Sequence, residues 1–404
     1  MAIGLLATLD TKGREIAFLQ ACLAAAGRDT LVIDVGLFDP DGIAPDLSRH
    51  QVAEAAGTDI PTLLTRPRGE IMAAMARGAA ASLRRLWQAG RLHGALGVGG
   101  NQGTAVICTA MQALPLGLPK LVVSTVASGN LRPYIGACDI AVLFSVADLL
   151  GGPNPVIEAV LRNAAAAMAG MTAARPPARA ALPVIAITSL GNTHPAVARA
   201  AALFRSRGFE VAAFHASGAC GSAMERLVAE GRIAAVLDLT PHELTEEVVG
   251  EGWYRPVEPG RLTAAGRAGI PQVVAPGGME YVVFGPPESV PLRFRRRPTH
   301  YHNPMCANIA VGRREMAAVG RVLAERLNAA KGPVAVVIPL KGWSVYGAPG
   351  GPLHDPAAIA AFLEHLGRTL RPDVPVHRLP LHINEPGFAD RCATLLLDML
   401  PGRR

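Results

Sequence analysis

The stretch AIGLLATLDTKGREIAFLQACLAAA (2–26) carries two hydrophobic periods in succession. Residues 2–7 form a short apolar run of the length of a buried strand. In 12–26, Ile16, Leu19, Leu23 and Ala26 recur at spacings of three and four, the period of one helix face. Between them lies a polar turn, Thr8 to Thr11. Strand, turn and helix in that order make half of a βαβ unit. The same alternation continues: 30–35, 94–98, 121–124 and 140–144 read as strands, while 70–89, 103–113 and 155–168 read as helices. Such alternation predicts a parallel sheet with helices on both faces.

The segment AARPPARAALP (173–183) has three prolines, two arginines and no periodicity, and it divides the chain. A second series follows, with elements at 184–188, 194–207, 210–214, 222–230, 233–239, 272–275, 334–338 and 374–378. The predicted class is α/β: two Rossmann-like, doubly wound subdomains with mainly parallel sheets and an intervening cleft. Residues 1–175 form the nucleotide-binding subdomain and residues 182–404 a C-terminal one with a second ligand site. The run Arg293-Phe294-Arg295-Arg296-Arg297 falls in a long irregular connection, as a solvated loop or an anion or subunit contact. Residues 300–303 and 354–355 are also read as loops.

Composition excludes several classes. With 404 residues, 50% of them hydrophobic and 18% charged, the chain is long and apolar enough for large cores. Aromatics are 4%, against a base-stacking nucleic-acid surface. The net charge of +7 comes from arginine, since only four lysines occur, and it admits anionic ligands. No uninterrupted apolar window reaches membrane-spanning length, and MAIGLLATLD lacks the basic start of a secretory signal. Six dispersed cysteines without a Cys-x-x-Cys pair predict reduced thiols and a cytoplasmic location.

In open α/β sheets, ligands bind beyond the carboxyl ends of the strands. Three loops of the first half sit there. Thr8, Asp10, Thr11 and Lys12 bring hydroxyls, a carboxylate and an ammonium to a helix start, which suits a phosphate or its Mg2+ complex. The alternative is helix capping by Asp10 or Thr11 with Lys12 in solvent. In Gly97-Val98-Gly99-Gly100-Asn101-Gln102-Gly103-Thr104, glycines allow backbone N–H groups to approach an anion, although neither a Walker loop nor G-x-G-x-x-G is present. The third loop offers Ser124, Thr125, Ser128 and Gly129, continuing to Tyr134 and Asp139, as a further anion cradle, with a polar surface loop capping a helix as the alternative. In the second half Asp238, Glu280, His302 and His354 stand at strand ends or in loops. They are candidates for general acid–base work or a metal shell. Capping of helices and loop amides is the alternative.

These stretches resemble a known family. ATLDTK (7–12), GVGGNQGT (97–104), the run 114–140 and NAAAAMAGM (163–171) are similar to bacterial relatives of the ATP-binding N-terminal part of the tomato tobamovirus-resistance protein. FHASGACGSAME (214–225), VLDLTPHEL (236–244), HNP (302–304), HDP (354–356) and HINEPGFA (382–389) extend the likeness along most of the chain. The resemblance implies two Rossmann-like subdomains, ATP bound mainly at the first, and a homodimer. This chain departs from the family at Asn101-Gln102, where a serine-glycine pair is common, and around Asn308 and Trp343.

Three functions compete at this point. The first is an ATP- or nucleotide-binding protein that couples nucleotide to small-molecule chemistry in its cleft. The second is a metal-assisted hydrolase or lyase of an oxo or carboxylic acid, working without ATP. The third is a regulatory binding module without chemistry.

Overall fold

The computed structural model describes residues 2–174 and 182–400. The chain divides into two units, Met1–Ala178 and Arg179–Arg404. The proline-rich boundary segment lies largely in 175–181, outside the described residues.

The N-terminal unit runs β1 (Ala2–Ala7), α1 (Leu9–Ala25), β2 (Thr30–Asp34), α2 (Arg49–Ala55), α3 (Ile60–Leu64) and α4 (Arg68–Gln88). It continues through β3 (Leu92–Gly99), α5 (Asn101–Met111), β4 (Lys120–Ser124), α6 (Arg132–Ile135), β5 (Ala141–Phe144) and α7 (Pro155–Ala173). Its five strands are parallel in the order β2-β1-β3-β4-β5. The apolar strands β1, β3 and β4 are buried on both faces, as the interior of a covered parallel sheet requires, while the edge strand β5 is partly exposed. Ile3, Leu5 and Ala7 pack with Leu19, Leu161 and Met168 of α1 and α7. Leu6 points the other way, to Met75, Leu83 and Ile107 of α4 and α5. The short α2 and α3 escape a periodicity reading because five to seven residues show no full hydrophobic repeat. Local capping starts them instead: Ser48 and Gln51 form a capping box, and Asp59 accepts from the Thr62 amide at 2.7 Å.

The C-terminal unit runs β6 (Val184–Ser189), α8 (His194–Ser206), β7 (Glu210–His215), α9 (Ala219–Ala229), β8 (Ala235–Asp238), α10 (His242–Val249), α11 (Ala264–Ala268) and β9 (Gln272–Val274). After these come β10 (Tyr281–Phe284), β11 (Thr299–Asn303), β12 (Cys306–Ala310), α12 (Arg313–Asn328), β13 (Val334–Pro339), α13 (Pro356–Thr369), β14 (Val376–Leu379) and α14 (Pro386–Asp398). Six parallel strands are ordered β14-β13-β9-β8-β6-β7. Ile185, Leu237, Val273 and Val337 pack toward α8 and α14. Val274, Val336 and Ile338 pack toward α12 and α13.

One feature corrects the sequence reading. His300–Asn303 is not loop but part of β11, in a three-stranded antiparallel sheet β10-β12-β11. THYHN has no apolar alternation, so its strand character comes from pairing: Thr299 opposes Ile309 and Tyr301 opposes Ala307. The arginine run does lie in an irregular connection, yet it is anchored. The Arg293 and Arg297 guanidinium groups flank the Phe294 ring at 4.7 and 4.5 Å, and Arg297 pairs with Glu315. No described helix is long and apolar enough to cross a membrane.

Each parallel sheet has a point where strand order reverses: between β1 and β3 in the first unit, and between β6 and β8 in the second. Ligand crevices form at such switch points.

Candidate functional sites

At the β1/β3 switch point both loops run directly into helices. α1 starts at Leu9 and α5 at Asn101, and neither has a side-chain cap. Both present the positive end of a helix dipole, although in α1 the Leu9 amide is taken by Asp34 and those of Thr11 and Lys12 by Thr8 O. A cavity of about 480 Å3 opens there. Thr8, Asp10, Thr11 and Lys12 line it from the first loop, and Gly100, Asn101, Gln102 and Gly103 from the second. Val35 to Phe38 and three residues of α4, Arg68, Met72 and Met75, complete the wall. Two cations and two helix starts thus share a pocket with an apolar side. Phe38 is 62% exposed, an unusual position for an aromatic ring.

Asp10 holds this site together as well as lining it. Its Oδ2 accepts from the amides of Leu37 and Phe38 at 3.3 and 3.2 Å, which ties the loop after β2 to the loop after β1. Asp34, fully buried at the end of β2, accepts from the amides of Leu9 and Gly36 at 3.2 and 2.8 Å. Burial raises its pKa, and those two hydrogen bonds oppose the rise.

The glycines divide by role. A Cβ on Gly99 would sit 2.6 Å from the Thr104 nitrogen, so the strand-to-helix turn itself excludes a side chain. A Cβ on Gly100 would meet nothing nearer than Thr125 Oγ1 at 3.9 Å. Gly99→Ala is therefore expected to lower stability by about 1–3 kcal/mol. Gly100→Ala is expected to stay within about 0.5 kcal/mol of wild type. Urea unfolding of both variants checks the contrast.

The third loop contributes less directly. Thr104 and Ser124 are buried and bond each other at 2.7 Å. Thr125, Ser128 and Gly129 lie in the turn after β4, where the Thr125 amide donates to Gly99 O at 3.3 Å. Tyr134 reaches the second loop, donating to Asn101 Oδ1 at 2.7 Å. Asp139 is engaged elsewhere: it pairs with buried Lys120 at 2.8 Å and accepts from the Gly117 amide at 2.7 Å.

In the C-terminal unit each of the four singled-out residues bonds a partner outside the set. Asp238 accepts from Thr188 Oγ1 at 2.7 Å and takes two hydrogen bonds from Arg261 at 2.8 and 2.9 Å. Arg261 is fully buried and also donates to Glu243 at 2.5 Å and Glu225 at 2.9 Å. Burial works against its charge, but the three carboxylates, Asp238 foremost, hold it firmly protonated. Glu243 also caps the α9 start through the Gly218 and Gly221 amides. Glu225 accepts from the amides of residues 262–264 ahead of α11. This hub ties five elements together. His354 Nδ1 lies 2.9 Å from Gly347 O. Among the described residues no three His, Cys, Asp or Glu side chains are placed to share a metal ion.

His302 lines a second cavity, of about 450 Å3. Leu190, Gly191 and Asn192 enter it after β6, and His215 from the end of β7. Tyr254, Tyr281, Val283, Cys306, Asn308, Val345 and Tyr346 complete the lining. Behind it lies His242, its nitrogens 2.6 Å from Gly278 O and 3.0 Å from Glu246 Oε1. Both neighbours are acceptors, a setting that favours the doubly protonated ring. Burial opposes that charge, and Glu246 outweighs it, raising the His242 pKa. Glu280 is buried and accepts from Ser344 Oγ. Burial lifts its pKa to about 7, with the Ser344 bond opposing.

Residues 1–177 match the N-terminal domain, and residues 182–400 the C-terminal domain, of the uncharacterised protein family UPF0261. The chain belongs to the UPF0261 family. A UPF0261 protein of Clostridium tetani is 38% identical over 399 residues, 98% of each chain. One from Mesorhizobium japonicum is 38% identical over 393 residues, 96% of this chain and 97% of that one. The ToMV resistance protein Tm-1(GCR237) of Solanum lycopersicum is 35% identical over 321 residues, 78% of this chain and 42% of the tomato protein. The resemblance read from the loop motifs thus extends to family membership and to the tomato relative.

Several pocket residues of this UPF0261 protein carry no signal in the sequence. Arg68, which donates to Gln102 Oε1 at 2.9 Å through Nε, is one arginine among many. Phe38, Met72 and Met75 reach the first cavity only through folding, as do Asn192, Tyr254 and Tyr281 the second.

Proposed function

We propose that this UPF0261 protein binds ATP with Mg2+ at the β1/β3 switch point of its N-terminal unit. The observation that carries the reading is the cavity between the starts of α1 and α5, flanked by Lys12 and Arg68. Backbone amides of the 100–103 turn and the Lys12 ammonium suit the phosphates. Phe38, Met72 and Met75 supply apolar surface for the base. Mg2+ is a hard ion that takes oxygen donors and arrives on phosphates, and Asp10, Thr8 and Thr11 are donors of that type. The ATP-binding character implied by the loop resemblance points the same way, and the homodimer and cytoplasmic setting belong to this reading.

A Cβ at Gly100 meets no protein atom closer than 3.9 Å, so a side chain there stands in the path of the phosphates. Gly100→Val is expected to weaken ATP binding at least tenfold, about 1.4 kcal/mol, by calorimetry with Mg2+ present. Wild-type affinity in the folded variant would count against the site. The metal-assisted alternative has weaker support, because Asp238 is committed to Arg261 and His354 to Gly347.

A further inference from the structure

We propose that the cavity of the C-terminal unit binds an uncharged, polyhydroxylated ring compound. This inference concerns the other unit and does not depend on nucleotide binding. The cavity begins in the loop after β6, beside the β6/β8 switch point, where an α/β sheet offers its ligand crevice. Its volume of about 450 Å3 falls within the range of small-molecule sites.

One side chain marks it as built to receive a ligand. Asn192 is 9% exposed, its Nδ2 donates to Tyr281 Oη at 2.8 Å, and its Oδ1 has no partner. A buried amide oxygen left unpaired is costly unless a ligand donor or water meets it.

The lining chemistry selects the class. Tyr254, Tyr281, Tyr346, His215 and His302 present rings with polar edges. Tyr346 packs edge-on to Tyr281 at 6.0 Å, and its hydroxyl lies 3.2 Å from His302 Nδ1. Such walls stack on a ring while bonding its hydroxyls. The lining includes no lysine, arginine, aspartate or glutamate.

Charge behind the wall argues against an anion. Glu246 accepts from the amides of Tyr254 and Val283, both at 2.6 Å. Glu243 lies on the same helix as Glu246, in the Arg261 hub. Arg261 serves three carboxylates and His242 serves Glu246, so the buried layer keeps an excess of negative charge. A cation seated on the tyrosine faces would leave the polar edges of the lining, Asn192 Oδ1 among them, without a donor to meet them. An uncharged ring avoids both costs.

Pyranose sugars and neutral polyphenols share this chemistry. Calorimetry on the full chain distinguishes them, with methyl pyranosides in one arm and catechol and pyrogallol in the other. Glucuronate and gallate serve as the charged counterparts. One neutral arm is expected to bind with a Kd of about 1 mM or tighter, and its charged counterpart at least tenfold more weakly. His302→Ala and Tyr346→Phe should each weaken that binding several-fold at unchanged melting temperature. His302 is exposed on β11, and Tyr346→Phe keeps the ring, so both are expected to fold. No binding in either neutral arm up to about 10 mM would overturn the proposal. So would equal affinity for the charged counterparts, or wild-type affinity in both folded variants.

Discussion

Arg261→Met is expected to destabilise the C-terminal unit by at least about 3–5 kcal/mol, the cost of removing one partner from a buried ion pair. The reason is stoichiometric. One fully buried guanidinium satisfies Asp238, Glu243 and Glu225, and methionine would leave all three carboxylates without it. The losses spread, because the same carboxylates hold the starts of α9 and α11. A drop in melting temperature of roughly 10 °C follows for a domain of this size. Arg321→Met, at an exposed pair with Glu325, is the control and should change stability by less than about 0.5 kcal/mol. Equal melting of the two variants would show that the hub is not a structural centre.

Glu280→Gln should stabilise the protein, and only at higher pH. The buried Glu280 carboxyl holds its proton up to about pH 7, against a usual value of 4.5. Between those values the folded state binds more protons than the unfolded state, so stability falls as pH rises. Above the folded value the full penalty applies, on the order of 3 kcal/mol at 1.36 kcal/mol per unit. Glutamine cannot ionise and escapes it. The variant is expected to gain about 2 kcal/mol near pH 8 and little near pH 4.5, measured by urea unfolding. The gain stays below the full penalty because glutamine would place two amide donors where Glu280 Oε2 has no hydrogen-bond partner. An equal effect at both pH values would show that folding does not raise the Glu280 pKa.

Much of the fold is legible in the sequence because its two main signals are strong. Parallel strands buried on both faces read as apolar runs, and helices such as α4 and α8 are long enough to repeat their apolar face. Legibility ends where structure comes from partners distant in the chain. The strand β11 has a polar sequence and owes its conformation to β12. The commitment of Asp238 to Arg261, 23 residues away, leaves no periodic trace. The first cavity was half readable: the loops at 8–12 and 99–104 announce themselves by composition, whereas Phe38 and Arg68 do not. In the second, His302 was visible as a histidine, but the tyrosines around it are brought together by the antiparallel sheet and loops that the sequence did not reveal.

The central claim is that nucleotide occupies the β1/β3 switch point, and hydrogen–deuterium exchange with and without Mg2+ and ATP tests it most directly. Slowed exchange is predicted in the amides of residues 10–12, 36–38 and 100–103, which line that cavity. Exchange unchanged at all three segments under saturating ATP, or protection confined to the C-terminal unit, would contradict the account.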